Sequence, residues 1–275
     1  MLDWLRRNIL EQEVKGRYTT HGTIKTSFKL FLISFITLCI GLITFIFYLN
    51  INIAEFEYLD SVTGKIFLYK GKNYMYIEID FNQANLKYIR SINYKQLKGE
   101  TTDLNLDDTA PFDKRDNKPF YPAGELPASY FQDRIDVEGL DIEQENIIFE
   151  EDLKRIGITG YKAGEIEIPE YWSEDTNKGS IPLNTENVEK GLPILNERFI
   201  NWIQLTLFYP TKKLWGIVNV PETKNYNVTI ESKSDYDKKL IFTDNSWFGF
   251  KNLYLPITFF FISLICLLLG IAIYR

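Results

Sequence analysis

Apolar positions in this chain fall into two kinds of pattern: unbroken runs near each end and alternation between them. Leu30–Leu49 is 20 residues without a charged side chain, and Leu253–Tyr274 is 22. At 1.5 Å per residue, a helix needs roughly 20 apolar residues to cross about 30 Å of hydrocarbon. Both runs meet that length. They predict transmembrane helices at 30–49 and 253–274 around a domain at 50–252, with a tail at 1–29 and residue 275 beyond the second span. The first run is longer than the ~7–15 residues of a signal-peptide core, and no Ala-x-Ala site follows it. It reads as an uncleaved span.

The middle region alternates with period two. Ile51–Tyr58 predicts a strand with Ile51, Ile53, Glu55 and Glu57 on one face, followed by a turn at Ser61–Gly64. Lys65–Lys70 and Asn73–Phe81 predict a hairpin around Gly71-Lys72. Within it Met75, Ile77, Ile79 and Phe81 oppose Tyr74, Tyr76, Glu78 and Asp80. Gly99–Gly124 reads as loop, broken by Pro111, Pro119 and Pro122. Ser129–Val137 predicts a short strand and Trp172–Asn187 an exposed polar stretch. In Asn196–Trp215, Phe199, Ile200, Ile203 and Leu207 share a helical face that Pro210 ends or kinks. Asn225–Ser232 and Lys239–Phe242 predict a closing hairpin. The expected fold class is a membrane protein in which two transmembrane helices flank a mainly β ectodomain. That ectodomain is an antiparallel β-sandwich with short helices and long loops.

Charge orients this layout. The tail carries six cationic residues against three acidic ones, and the 50–252 loop carries 24 against 34. Cations beside a span favour the cytosol, whereas long loops cross regardless of charge. Both termini are therefore expected in the cytosol and the acidic domain in the lumen or outside the cell. An acidic surface also argues against nucleic acid as a partner.

Candidate chemistry is sparse. The only cysteines, Cys39 and Cys266, lie in the apolar runs, so the domain is expected to hold no disulfide. The single histidine, His21, is in the tail. The large domain thus lacks the commonest zinc ligands and nucleophile–base pairs. Gly157, Gly160 and Gly164 do not have phosphate-loop spacing. The Glu150-Glu151-Asp152 run reads as a solvated face, and Asp113-Lys114 is followed by Arg115 rather than by a pump's Thr-Gly. No catalytic residue, cofactor or metal is expected. The spans contain no Asp, Glu, Lys, Arg or His, which argues against autonomous transport. Their small and polar residues, Ser34, Thr37, Gly41, Thr44, Ser263 and Gly270, suit contact between helices. Asn227-Val228-Thr229 is an N-glycosylation acceptor triplet.

Four strings, in order along nearly the whole chain, resemble the flippase β-subunit family (cell division control protein 50, ligand-effect modulator 3, transmembrane protein 30). Asn196-Glu197-Arg198-Phe199-Ile200-Asn201-Trp202 resembles the family's Asn-Glu-x-Phe-Ile-x-Trp and continues through Pro210 to Lys213-Leu214-Trp215. Trp247-Phe248-Gly249-Phe250-Lys251-Asn252 resembles Trp-Phe-Gly-Gly-Lys-Asn. Phe81, Gln83, Tyr88, Ser91, Gln96, Leu97 and Gly99 match a third pattern. Pro122-Ala123-Gly124, with Ser129, Phe131 and Asp133, is similar to a fourth. Ala123 stands where the family has a cysteine, with Thr109 near its partner position, and a second pair is missing around Val62–Lys72. Gln204 stands where an Arg is common. The chain is therefore expected to be a divergent member lacking the ectodomain cysteines.

The resemblance implies a non-catalytic β-subunit in a heterodimer with a type-IV P-type ATPase that moves phospholipids to the cytosolic leaflet. Its role would be in the pump's folding, exit from the endoplasmic reticulum and activity. The implied location is the endoplasmic reticulum, Golgi or endosome, or plasma membrane, with Asn227 glycosylated and membrane lipids as further contacts. Arg6, Arg7, Lys15 and Arg17 would dock on the pump or on anionic lipid. The motif positions Phe81, Gln83, Tyr88, Ser91, Pro122, Gly124, Asn196, Glu197, Phe199, Trp202, Trp247, Phe248, Gly249, Lys251 and Asn252 would be structural or partner-facing. Two other classes fit two spans and a large ectodomain: an ion-channel subunit, and a surface receptor or adhesin that needs no pump.

Overall fold

The computed structural model describes residues 23–162, 164–169, 196–244, 249 and 251–274. The expected polar stretch at 172–187, Trp247, Phe248 and the tail cations lie outside these residues. The chain divides into a helical unit, which includes residues up to Ile51 and from Asn245, and a second unit at Asn52–Asp244.

In the helical unit, α1 (Thr23–Asn50) and α7 (Tyr254–Tyr274) are long and apolar enough to span a bilayer. They pack through the small residues picked out by the sequence. Ser34 Oγ donates to the Ser263 carbonyl and Ser263 Oγ to the Ser34 carbonyl, both at 2.9 Å. A Cβ at Gly41 would lie 2.9 Å from the Phe260 ring, and one at Gly270 would lie 2.8 Å from the Phe31 ring. Glycine at these two positions lets the rings seat against the facing backbone. In hydrocarbon, where apolar association gains nothing over lipid, such close packing is what holds helices together.

The Asn52–Asp244 unit is an antiparallel sandwich. Its strands are β1 (Ile53–Tyr58), β2 (Val62–Leu68), β3 (Gly71–Ile79), β4 (Lys114–Arg115), β5 (Lys118–Pro119), β6 (Arg134–Val137), β7 (Ile142–Glu143), β8 (Thr211–Val220), β9 (Lys224–Glu231) and β10 (Lys238–Thr243). One sheet runs β1-β10-β3-β8-β7 and the other β2-β9-β6; β4 and β5 pair alone. Among the described residues, five short α-helices sit in the connections: α2 (Leu86–Ile89), α3 (Tyr94–Leu97), α4 (Glu125–Ala128), α5 (Glu150–Leu153) and α6 (Glu197–Ile203).

The β3 alternation is as expected: Met75, Ile77, Ile79 and Phe81 are buried, and Tyr74, Tyr76 and Glu78 are half-buried. These inward residues join Leu240 and Phe242 of β10, Ile66 and Leu68 of β2, and Tyr226, Val228 and Ile230 of β9 in one core. Each fully buried aliphatic or aromatic side chain contributes about 1.5–3 kcal/mol. The outer strand β1 turns Glu55 and Glu57 outward, where Lys239 of β10 bridges them at 3.3 and 2.9 Å. Charge of this kind blunts an edge against further pairing.

Neither expected hairpin forms. β2 pairs with β9 while β3 pairs with β10 and β8; likewise β9 and β10 belong to different sheets. Alternation dictates which side chains turn inward, and inward residues of consecutive strands meet equally well across a sandwich as within a sheet. The turns therefore carry the chain from one sheet to the other. At one end, Lys70 N–H donates to Thr223 Oγ1 (2.9 Å), joining the β2–β3 and β8–β9 turns. At the other, Ser232 Oγ donates to the Leu59 carbonyl (3.0 Å), joining the β1–β2 and β9–β10 turns. The first turn occupies Leu59–Ser61, so Val62–Gly64, expected as turn, are strand. Of Ser129–Val137 only Arg134–Val137 is strand, because Tyr130 and Phe131 are both buried and cannot alternate.

The helix expected to run to Pro210 stops at Ile203, and Leu207 is 73 % exposed rather than on its buried face. Two side chains account for the early end. Gln83 Nε2–H donates to the Trp202 carbonyl (3.0 Å), and the Lys213 ammonium donates to the Gln204 carbonyl. The carbonyls that would extend the helix are already satisfied.

Candidate functional site

Several of the motif positions converge on α6. Asn196 caps the helix, its Oδ1 accepting from Phe199 N–H at 2.8 Å, while Tyr130 O–H reaches the same oxygen at 3.4 Å. An asparagine at this place satisfies one of the orphan donors of a helix start. Glu197 points away from this cluster and accepts from Ile147 N–H (2.9 Å). Phe199, Ile200, Trp202 and Ile203 are buried.

Trp202 is the hub. Phe81 stacks on it with ring centroids 5.9 Å apart, Phe131 stacks at 6.4 Å, and Tyr130 and Trp215 meet it edge-on at 6.4 and 6.5 Å. Its indole N–H donates to Ser129 Oγ (3.3 Å). Tyr88 lies against Phe81 at 4.7 Å. Gln83, fully buried, donates to the Trp202 carbonyl and accepts from Thr206 N–H (3.2 Å), so it fixes the chain on both sides of the helix end. Beside the hub, a cavity of about 520 Å³ is lined by Phe81, Tyr88, Trp202 and Tyr236, with the Lys87–Glu125 ion pair (3.0 Å) among its walls.

A second junction joins Ser91 to Gly124. Ser91 Oγ accepts from Glu125 N–H (2.7 Å) and its carbonyl from Leu126 N–H (3.3 Å). Gly124 has φ +118°, and a Cβ there would lie 2.1 Å from the Ser91 carbonyl oxygen. Pro122 precedes this corner. Ala123 and Thr109, at the missing-cysteine positions, are both buried. Hydrogen bonds tie the segment instead. Gln96 Nε2–H donates to the Phe120 carbonyl (2.7 Å), Gln96 Oε1 accepts from Ala123 N–H (2.8 Å), and Gly124 N–H donates to the Phe112 carbonyl (3.0 Å).

In the helical unit, Lys251 donates to the Ile51 carbonyl (3.2 Å) with its ammonium 5.0 Å from the Tyr48 ring centroid, and Asn252 Oδ1 accepts from Tyr254 N–H (2.8 Å) at the start of α7. Gly249 has φ +97°. Asn227 is exposed in the middle of β9, opposite Lys65, and donates to Glu138 Oε2 (2.5 Å). Among the described residues no group of three or more His, Cys, Asp or Glu comes together.

Two cations that the sequence reading left without a role are buried here. Lys238 lies 3.0 Å from Asp133 Oδ2, and both side chains are 1 % exposed. Its ammonium also donates to Ser232 Oγ and to the Ser234 carbonyl (2.6 Å). Asp133 Oδ1 accepts from Lys233 N–H (2.8 Å). The nearby Tyr58 hydroxyl is pushed above its ordinary pKa, first by burial and then by the Asp133 charge. The signal for Lys238 was its place on the inward side of Lys238-x-Leu240-x-Phe242. Lys213, likewise buried, donates to the Gln204 carbonyl, and burial pulls its pKa down to about 7 from the usual 10.5. Arg198 is drawn down to about 10 by burial and stays cationic, its Nε–H on the Trp215 carbonyl (2.7 Å) and its guanidinium over the Trp215 ring.

Lys213 sets an expectation for pH. From about pH 7 to the ordinary lysine pKa, the unfolded chain holds a proton that the folded one has lost, so stability rises with pH across that window, by up to about 1.4 kcal/mol per unit. Below it both states are protonated and this contribution is flat at its lowest. Unfolding of the wild type and of Lys213→Met, followed between pH 7 and 9, should differ by that slope. Parallel curves would refute it.

A sequence profile of the LEM3 (ligand-effect modulator 3) / CDC50 family matches residues 55–274, which include both the hub and the Ser91–Gly124 junction. The chain belongs to the CDC50/LEM3 family. It is similar to cell cycle control protein 50A of Rattus norvegicus, 25 % identical over 92 % of this chain and 80 % of the relative. Putative ALA-interacting subunit 4 of Arabidopsis thaliana is 22 % identical over 74 % of the chain and 61 % of its own length. Cell cycle control protein 50C of Macaca fascicularis is 26 % identical over 69 % and 62 %. In this CDC50-family chain, the Asn196–Trp202 string supplies the centre of the hub, Trp202, and the cap of its helix.

Proposed function

We propose that this CDC50-family membrane protein is the non-catalytic β-subunit of a type-IV P-type ATPase that moves phospholipids to the cytosolic leaflet. It would support the pump's folding, exit from the endoplasmic reticulum and activity. The family match across 55–274 carries this reading. Two apolar helices around a sandwich and the names of the plant relatives, ALA-interacting subunits, support it. Both termini are assigned to the cytosol and the sandwich to the lumen or cell exterior, with a glycan on Asn227. The buried motif residues act by holding the sandwich in shape for the pump, and a bound subunit biases a pump only through states it binds better.

Affinity purification of the full chain in mild detergent tests the reading. A P-type ATPase of about ten spans should co-purify, and the chain expressed without one should be retained early in the secretory pathway. A homotrimer, or surface delivery with no ATPase bound, would overturn it and favour a channel subunit or a receptor.

A further inference from the structure

The loop between α6 and β8 holds large side chains in solvent: Leu207, Phe208 and Tyr209 are 73, 82 and 62 % exposed. The backbone on either side is pinned. Thr206 N–H donates to Gln83 Oε1, and Thr211 Oγ1 donates to the Phe81 carbonyl. The Tyr209 hydroxyl donates to Asp80. A fixed loop that turns consecutive apolar side chains outward has the character of an interaction surface.

Beside this ridge lies a groove of about 620 Å³ whose walls include Glu57, Glu78, Asp80, Tyr209, Pro210 and Asp237. Register shows how its charges are balanced. Glu57, Lys239, Glu78 and Lys212 stand opposite one another on β1, β10, β3 and β8, so that row alternates in sign and cancels. One row further on, at the ends of β3 and β10, Asp80 and Asp237 face each other, and Asp80 N–H donates to the Asp237 carbonyl (2.9 Å). Both are exposed. The lysines that follow Asp237 are engaged elsewhere: Lys238 turns inward to Asp133, and Lys239 bridges Glu55 and Glu57. Like charges directly opposed in a sheet repel. The Asp80–Asp237 row is therefore an anionic spot that lacks a cation, set against an apolar ridge.

The geometry points to a docking site for a protein segment that carries a lysine or arginine beside apolar side chains. Its cation sits between Asp80 and Asp237, where a guanidinium can bond both carboxylates. Its apolar side chains cover Leu207 and Phe208. A lipid surface fits less well, because the carboxylates that border the rings repel anionic headgroups. The site rests on the β-subunit reading, under which the segment belongs to the ATPase, on the side of the membrane where the sandwich lies.

The test uses the full chain purified in mild detergent with the ATPase that the co-purification above identifies. With p-benzoylphenylalanine in place of Phe208, illumination should crosslink that position to an ATPase peptide containing lysine or arginine. Asp80→Asn/Asp237→Asn removes the charges and keeps an acceptor for Tyr209. It should lower the ATPase recovered several-fold, while the unfolding temperature of the chain alone stays level or rises because a repulsion is gone. Leu207→Ser/Phe208→Ser should lower recovery by a similar factor with the unfolding temperature unchanged, since both residues are exposed. Undiminished recovery in both variants would overturn the docking site and leave the β-subunit reading standing. So would a crosslink only to lipid or to the chain's own residues. Absence of any ATPase with the wild type would overturn both.

Discussion

Trp202→Ala should destabilise the sandwich more than any other single truncation at the hub. The indole is 2 % exposed and stands between Phe81, Tyr130, Phe131 and Trp215, so truncation removes its burial and opens a cavity that four ring neighbours cannot close. Such losses cost about 3–5 kcal/mol, against the 5–15 kcal/mol that holds a typical domain together. The Gln83 and Thr206 hydrogen bonds share the same helix end and should loosen with it. Trp202→Phe keeps most of the ring contact and loses the bond to Ser129, for a smaller cost of about 1–2 kcal/mol. Thermal unfolding and limited proteolysis of the detergent-purified full chain check both. Wild-type resistance in the alanine variant would show that the hub is not what supports the fold.

Asp133→Asn should be nearly as damaging, and Lys238→Met should rescue it. The asparagine can still accept from Lys233 N–H but leaves the Lys238 ammonium buried with no counter-charge, facing Ser232, Ser234 and the Tyr58 ring. Stranding one member of a buried pair typically costs about 3–5 kcal/mol. Replacing the second charge by an apolar side chain removes the uncompensated ion, so the double variant should unfold within about 1 kcal/mol of wild type. Unfolding of the four proteins of the cycle gives the coupling energy directly. Additive single effects would mean that the two groups do not compensate each other. On this account the pair adds little net stability; it specifies which strand end meets which loop.

The sequence stated the period of the fold better than its pairing. Met75, Ile77 and Ile79 announced their buried face, and the apolar lengths of α1 and α7 announced two spans. Partner choice was not local. Nothing near Lys65 says that its strand pairs with β9 rather than with the strand six residues on, because the decision belongs to β10, which wedges between β1 and β3. Leu207 fitted the 3.6-residue pattern, but the carbonyls needed to extend the helix were claimed by Gln83, remote in sequence, and by Lys213, beyond Pro210 on the next strand. The hub was legible as a string from Asn196 to Trp202. The Asp133–Lys238 pair was not, since a lysine at the head of an apolar inward row reads as a solvated strand end until its counter-ion is seen.

The place of β10 has a consequence for biosynthesis. The last strand to leave the ribosome fills the slot between the first and the third, and hydrogen-bonds to both. Until it arrives, the nascent domain presents a gap lined by Tyr58, Phe56, Met75 and Ile77, and β1 has no hydrogen-bonded neighbour to join it to the sheet. Pairings this distant in sequence form slowly. Completion thus waits for almost the whole chain to be made, and the unfinished domain exposes unpaired strand edges that invite chaperones or misassociation in the meantime.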